Sequence, residues 1–395
     1  MSSIFCVPPL LFVTFNETYG ISYTLLGTLV LVNFCTQLGI DFIFTFFAKH
    51  FNAKLTARIM PLLTAFGLFI YALIPHYFPQ YAYAGLLVGT VIFSVSAGLS
   101  EVLTSPIIAA IPSDNPQRDM SFLHSVYGIG VVSMVSVSSL FFKLFGTERW
   151  VYLALFLATL PVIASVLFML SPMPDMQSSE EVTRAGGTKK RAVGLAFCFA
   201  CIFFGSCAEN AMASWISGFI ETSVTIDKAL GDIIGAAAFA ALLALVRIIY
   251  AKYGRNIMLT LLVGMIGAVV CYVTVGLSSA PVVSVIACIL TGMFSSMLWP
   301  GTLIMMEENI KGAGVAAFAL MAAGGDTGAA LAPQLLGAVT DMVAESGFGA
   351  RLAEELGITS LQAGMRVGML TCALFPLMGI FVVMFIMRYF KKNKE

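Results

Sequence analysis

Charge is scarce in this sequence. Only 11% of its 395 residues are Asp, Glu, Lys or Arg, against roughly 25% in a soluble domain. Neither sign is in excess, with Lys+Arg and Asp+Glu at 21 each. The basic surface that nucleic-acid binding requires is therefore missing. Long polar stretches are few as well, which excludes a disordered chain. What is present is apolar: 59% of residues are hydrophobic and mean hydropathy is +0.94. A soluble globule of this size keeps too much surface to hide that composition, so a soluble enzyme is excluded. The chain reads as a polytopic membrane protein.

Other absences narrow the reading. No basic segment precedes the first apolar run, so that run is not a signal peptide. The only Gly-Gly-Thr-Lys-Lys stretch (186–190) lacks the spacing of a phosphate loop, which argues against pumping driven by nucleotide hydrolysis. The alternation of a membrane β-barrel is missing. Eight cysteines all lie in apolar runs. Cys198-x-x-Cys201 has redox or metal spacing but no second ligand pair, and it reads as helix packing. No cofactor or metal is implied.

A spanning helix takes about 20 apolar residues and a helix with its loop roughly 30–35, which allows about twelve spans and no soluble domain. Apolar runs between polar breaks predict helices over 3–16, 22–47, 56–76, 82–111, 118–144, 149–171, 192–221, 230–251, 257–278, 281–306, 313–343 and 365–389. The first run is short and interrupted by Pro8-Pro9, as though that helix lacked its amino-terminal half. With the N-terminus inside, fifteen Lys and Arg fall on the inner side and five on the outer. The positive-inside rule then puts both termini in the cytoplasm of a chain set in the cytoplasmic membrane. The polar stretch 173–191 reads as a linker between two six-helix halves, 1–172 and 192–395. Echoes between Ala48–Lys54 and Ala251–Arg255, and between Pro106 and Pro300, suggest parallel repeats.

Ionisable residues inside spans are costly and mark pathways, relays or pairs. Asn33, Gln37 and Asp41 recur every four residues and form one stripe that must face the bundle interior. Asn33 reads as interhelical glue, while Asp41 is either functional or paired with a cation such as Lys49. Glu101 shares a face with Ala97, Thr104 and Ser105, and Gly98 and Pro106 let that helix bend. No basic residue lies within a turn of it in sequence. A carboxyl sheltered from water holds its proton more readily, as a proton-coupled carrier needs. A structural, permanently protonated Glu101 is the competing reading.

His124 and Tyr127 share a face of the fifth span, although His124 could be solvated at the helix end. In the seventh, Ser206, Asn210, Ser214 and Ser217 form a stripe with Glu209 beside it and Trp215 beyond. An acid, an amide and an aromatic plate suit a polar solute with apolar faces, sugars above all; packing or an interfacial belt is the plain reading of Trp215. Trp299-Pro300 marks a kink, with Trp299 a second aromatic for solute. Asp326 follows a small-residue run and either caps a broken helix or lines the cavity. Arg247, about a turn from Lys252, is expected to snorkel to the inner surface.

Two six-helix halves, a basic central loop and the Lys252-Tyr253-Gly254-Arg255 turn resemble the major facilitator superfamily. Three stretches resemble its fucose–proton symporter branch: Gly98–Pro106 through Asp114-Asn115-Pro116 to Leu123–Gly128; Glu209-Asn210 through Trp215; and Ser295–Pro300 on to Gly324-Gly325, Pro333, Gly337 and Asp341. The resemblance implies an all-α, twelve-helix carrier, not an enzyme, that works as a monomer by alternating access. Glu101 falls on that family's fourth-helix glutamate, used in sugar and proton handling. The family's first-helix aspartate has no counterpart near Pro8-Pro9, and Asp41 is an acid the sugar carriers usually lack.

The resulting expectation is a secondary transporter that moves a small polar solute, a sugar or sugar-like metabolite, with protons. Glu101, Asp41 and Glu209 are its proton-coupling residues. Gln37, His124, Tyr127, Asn210, Trp215, Trp299 and Asp326 are its solute contacts. A proton-antiport exporter, an uncoupled facilitator and a non-transporting receptor stay open as alternatives.

Overall fold

The computed structural model describes residues 8, 11–21, 23–174, 188–224, 233–310 and 313–394. Among them there is no strand. The helices run in chain order as α1 (Phe12–Tyr19), α2 (Tyr23–Phe47), α3 (Ala53–Tyr77), α4 (Ala82–Ala110), α5 (Pro116–Phe145), α6 (Trp150–Leu170), α7 (Thr188–Val224), α8 (Ala238–Tyr253), α9 (Ile257–Leu277), α10 (Pro281–Ser295), α11 (Leu298–Asn309), α12 (Val315–Ala344), α13 (Gly347–Leu356), α14 (Ser360–Cys372) and α15 (Leu374–Lys394). Among the described residues, eleven segments are long and apolar enough to cross a membrane, with α10–α11 and α14–α15 each counted as one. The short α1 adds the twelfth helix of the series. Pro9, the linker stretch 175–187, Lys228 and Lys311 lie outside the described residues.

The described chain forms two compact units. One gathers Met1–Ser113, Gly130–Ala185 and Gly312–Ala323; the other gathers Asp114–Ile129, Gly186–Lys311 and Gly324–Glu395. Helices α5 and α12 thus contribute one end to each.

Inside the first unit, an aromatic knot anchors α1. Phe15 packs edge-on against Trp150 at 4.9 Å and against Tyr71 at 6.0 Å between ring centroids. A second core joins Phe44, Met60, Val102 and Leu103 to Val315 and Ala319 of α12. Helices α3 and α4 touch through glycine: a Cβ on Gly67 would stand 2.7 Å from the Phe93 amide nitrogen and 2.9 Å from the Gly89 oxygen. Backbones that close cannot tolerate a side chain between them, so dispersion contacts run along both helices.

The second unit repeats these devices. A Cβ on Gly264 of α9 would stand 2.6 Å from the Phe294 oxygen of α10. The helix starts repeat as well. Asn52 caps α3 by accepting from the Leu55 amide at 3.0 Å, and Asn256 caps α9 by accepting from Leu259 at 3.1 Å. The next residue bonds back in both: Thr56 Oγ1 donates to the Asn52 carbonyl at 2.9 Å and Thr260 Oγ1 to Asn256 at 3.0 Å. The shared Asn-x-x-Leu-Thr sequence is a capping motif, because an N-cap amide fills an orphan N–H of the first turn. It gives the internal repeat a physical basis.

The tenth apolar run is not one helix. It breaks at Ser296-Met297, between α10 and α11. Pro300 has no N–H to give the Ser296 carbonyl, and its ring crowds that oxygen. The predicted kink therefore sits one turn before the proline that causes it. Helix α13 has no counterpart among the predicted runs. It is short, capped by Ser346 onto the Gly349 amide at 3.0 Å and ended by Gly357 at φ 63°.

Candidate functional site

In the first unit the polar stripe of α2 is turned inward. Asn33, Gln37 and Asp41 are 7%, 1% and 0% exposed. Ser94 Oγ of α4 lies 2.5 Å from Asn33 Oδ1 and 2.6 Å from the Thr90 carbonyl of its own helix, and its one proton serves either acceptor. Asn33 is thus glue between α2 and α4. One turn on, Gly98 meets Gln37: a Cβ there would stand 3.0 Å from Ile40 Cβ and 3.2 Å from the Gln37 backbone. Asn33 with Ser94 and Gln37 with Gly98 advance four residues together, so the two helices run parallel in a fixed register. One further turn at the same offset leads to Asp41 on α2 and Val102 on α4.

Gln37 Nε2 bonds back to the Asn33 carbonyl at 3.4 Å, and its Oε1 is buried without a hydrogen-bond partner. Glu101 is half-buried beside Ser105 and Pro106, which are buried. Thr104 bonds back to the Ser100 carbonyl. The α2–α4 contact thus holds an amide with spare acceptor capacity, and Asp41 is buried one turn further along α2.

In the second unit the arrangement centres on Arg247. The expectation that it snorkels is overturned, for Arg247 is buried, with 3% of it exposed. Its Nε donates to the Ser296 carbonyl at 2.7 Å, and its Nη1 to the His124 carbonyl at 3.1 Å. The first of these is the oxygen that Pro300 deprives of its helical donor, so the guanidinium caps the broken α10. Ser121 Oγ returns a bond to the Arg247 carbonyl at 2.7 Å. Nη2 faces both carboxylate oxygens of Glu209 at 3.5 and 3.4 Å. The snorkelling expectation rests on the residue's own helix, whereas its partners lie on α5, α7 and the α10 break.

The other predicted residues of this unit make contacts of their own, several of them with α12. Asn210 Nδ2 bonds back to Ser206 at 3.1 Å, and Ser206 Oγ donates to the Gly325 carbonyl of α12 at 2.6 Å. Trp215 Nε1 donates to the Pro333 carbonyl at 3.1 Å. Trp299 lies against Gly325, where a Cβ would stand 2.1 Å from its ring. Both tryptophans are thereby docked on α12 and partly exposed. Asp326, next to that contact, is buried, while Ser214 is exposed. His124 is half-buried and Tyr127 is exposed, and both stand within electrostatic reach of Arg247. Cys198 and Cys201 are buried, and Thr302 Oγ1 lies 3.3 Å from Cys201 Sγ, as packing requires. Among the described residues no cluster of His, Cys, Asp and Glu could hold a metal ion.

The fold is that of a helical membrane protein with polar groups buried inside apolar helices. The family model of the Major Facilitator Superfamily matches residues 1–333, and the chain belongs to that superfamily. It is a multi-pass membrane transporter and not an enzyme. Its structure is similar to the E. coli fucose:proton symporter FucP, with 12% identity, a TM-score of 0.71, and 98% of this chain and 96% of that one covered. It is also similar to the proton:xylose symporter XylE, with 14% identity, a TM-score of 0.74, and 98% and 92% covered. The human organic anion transporter MFSD10 aligns with 13% identity and a TM-score of 0.63, over 94% of this chain and 88% of its own. At these identities the likeness is one of fold. No curated protein matches the sequence.

Proposed function

We propose that this chain is a proton-coupled carrier of a small polar solute, a sugar or sugar-like metabolite, working by alternating access. Helices 1–172 and 192–395 would be the two moving halves, joined by 173–191. The chain would act as a monomer in the cytoplasmic membrane with both termini inside. The observation that supports the reading is the α2–α4 register with the α2 stripe turned inward: one helical turn beyond Gln37 and Gly98, the sequence carries Asp41 on α2 and Glu101 on α4. The sugar:proton symporters of the same fold support it.

Glu101 takes the proton, with Asp41 and Glu209 as further acids. Gln37, His124, Tyr127, Asn210, Trp215, Trp299 and Asp326 meet the solute. An ionised carboxylate is expensive in a low-dielectric interior, so solute and proton arriving together lower the cost of moving the loaded site. The carrier then reorients most readily once Glu101 is protonated and solute is bound. A thermal-shift screen of the purified protein against sugars, sugar acids, nucleosides and amino acids identifies the solute. Flux into liposomes under an imposed pH gradient then tests the coupling. Accumulation that follows the proton gradient supports the reading; flux indifferent to the gradient counts against it.

A further inference from the structure

We propose that Arg247 is an anion-receiving subsite and that the solute carries a carboxylate, as a small polyhydroxy acid does. This rests on the carrier reading above and narrows its solute class.

A guanidinium has five N–H donors in a fixed fork and is always charged. Here the main chain holds it: Nε is on Ser296 at 2.7 Å and Nη1 on His124 at 3.1 Å. Two helices fix the fork in place whatever the acid does. Glu209 is the looser partner. Its oxygens lie 3.4 and 3.5 Å from Nη2, beyond the roughly 2.7–2.9 Å of a charge-assisted bond. Both share one nitrogen, so the pair is not a fork-to-fork match. The Glu209 side chain is also the more accessible member, 16% exposed against 3% for Arg247.

A buried cation that is rigidly held but loosely neutralised suits exchange of one carboxylate for another. A solute carboxylate that reaches the pair on its more accessible Glu209 side can take Nη2. Glu209, displaced, then takes up one proton. Charge balances: one anion and one proton enter, and the site stays neutral. Among the described residues, His124 and Tyr127 of α5 stand within electrostatic reach of Arg247 beside Glu209.

The test uses purified full-length protein in detergent, with gluconate and galacturonate as carboxylate probes. Galactose and galactitol serve as neutral counterparts, and inorganic phosphate as a different anion. Melting midpoints and calorimetric titration are read for wild type, Glu209→Gln, Arg247→Lys, Arg247→Met and the double variant Arg247→Met/Glu209→Gln. The double variant leaves neither charge of the pair buried alone, so it folds even where Arg247→Met fails. The carboxylates should raise the wild-type midpoint more than the neutral sugars do. Glu209→Gln should bind them more tightly. The double variant should lose about tenfold to a hundredfold in affinity, the range of a charged hydrogen bond.

Equal shifts by neutral and carboxylate probes would overturn the subsite, as would undiminished carboxylate binding by the double variant. A response to phosphate alone would overturn the carboxylate assignment. No shift by any probe in wild type or Glu209→Gln would overturn both. Neutral-sugar binding with proton-driven uptake would leave the carrier reading intact while removing this one. Carboxylate binding without proton-driven uptake would do the reverse.

Discussion

Replacing Arg247 with Met should reveal how far the Pro300 break depends on a side chain from another helix. The substitution keeps much of the side-chain bulk and removes every donor. It strands Glu209, and breaking a buried pair by removing one partner costs about 3–5 kcal/mol. It also strands the Ser296 carbonyl, which accepts from Arg247 Nε at 2.7 Å in place of the N–H that Pro300 lacks. An orphaned buried carbonyl costs about 1–3 kcal/mol. The two contributions share one residue and are separable by a cycle. Pro300→Ala restores a backbone N–H one turn beyond Ser296, so it can satisfy that oxygen when Arg247 is gone. Equilibrium unfolding in mixed micelles should show Arg247→Met costing about 1–3 kcal/mol less in the Pro300→Ala background. Arg247→Met/Glu209→Gln should recover most of the remainder. If Arg247→Met costs the same with Pro300 in place as in the Pro300→Ala background, the capping argument is wrong.

Three further outcomes follow from the packing. Asn52→Ala and Asn256→Ala should each lower stability by about 1 kcal/mol, with equal effects at the two repeats, as read by thermal unfolding. Gly325→Ala drives a methyl into the Trp299 ring; it should cost at least about 1–3 kcal/mol and shift tryptophan emission, whereas the same change at Gly347, which has open space around it, should be silent. Gly98→Ala should loosen the α2–α4 register and lower solute flux more than stability, seen by comparing liposome transport with unfolding midpoints.

Much of the fold is legible in the sequence because a spanning helix announces itself by length and hydropathy alone. Eleven of the predicted runs correspond to spanning segments in the structure, and the α2 stripe is turned inward because a period of four over three polar residues leaves one helical face. Kinks are legible from Pro300, but placing the break requires knowing that a proline disables the carbonyl four residues earlier. Contacts between distant segments stay hidden. The distance from Arg247 to Lys252 along one helix points to the surface, yet the partners of Arg247 are Glu209, Ser296 and His124. The α2–α4 register depends on Ser94 and Gly98, and a serine and a glycine in an apolar run carry no distinctive pattern. The Asn-x-x-Leu-Thr caps are readable but too short to stand out until both are seen at helix starts. Helix α13 lacks the length and hydropathy of a span and reads as loop.

The coupling claim is tested most directly by comparing wild type with Glu101→Gln in liposomes under an inward proton gradient, using radiolabelled solute taken from the thermal-shift screen. Wild type should accumulate solute against its gradient, while Glu101→Gln should only exchange labelled for unlabelled solute without accumulating it. Equal proton-driven accumulation by the two proteins would contradict it.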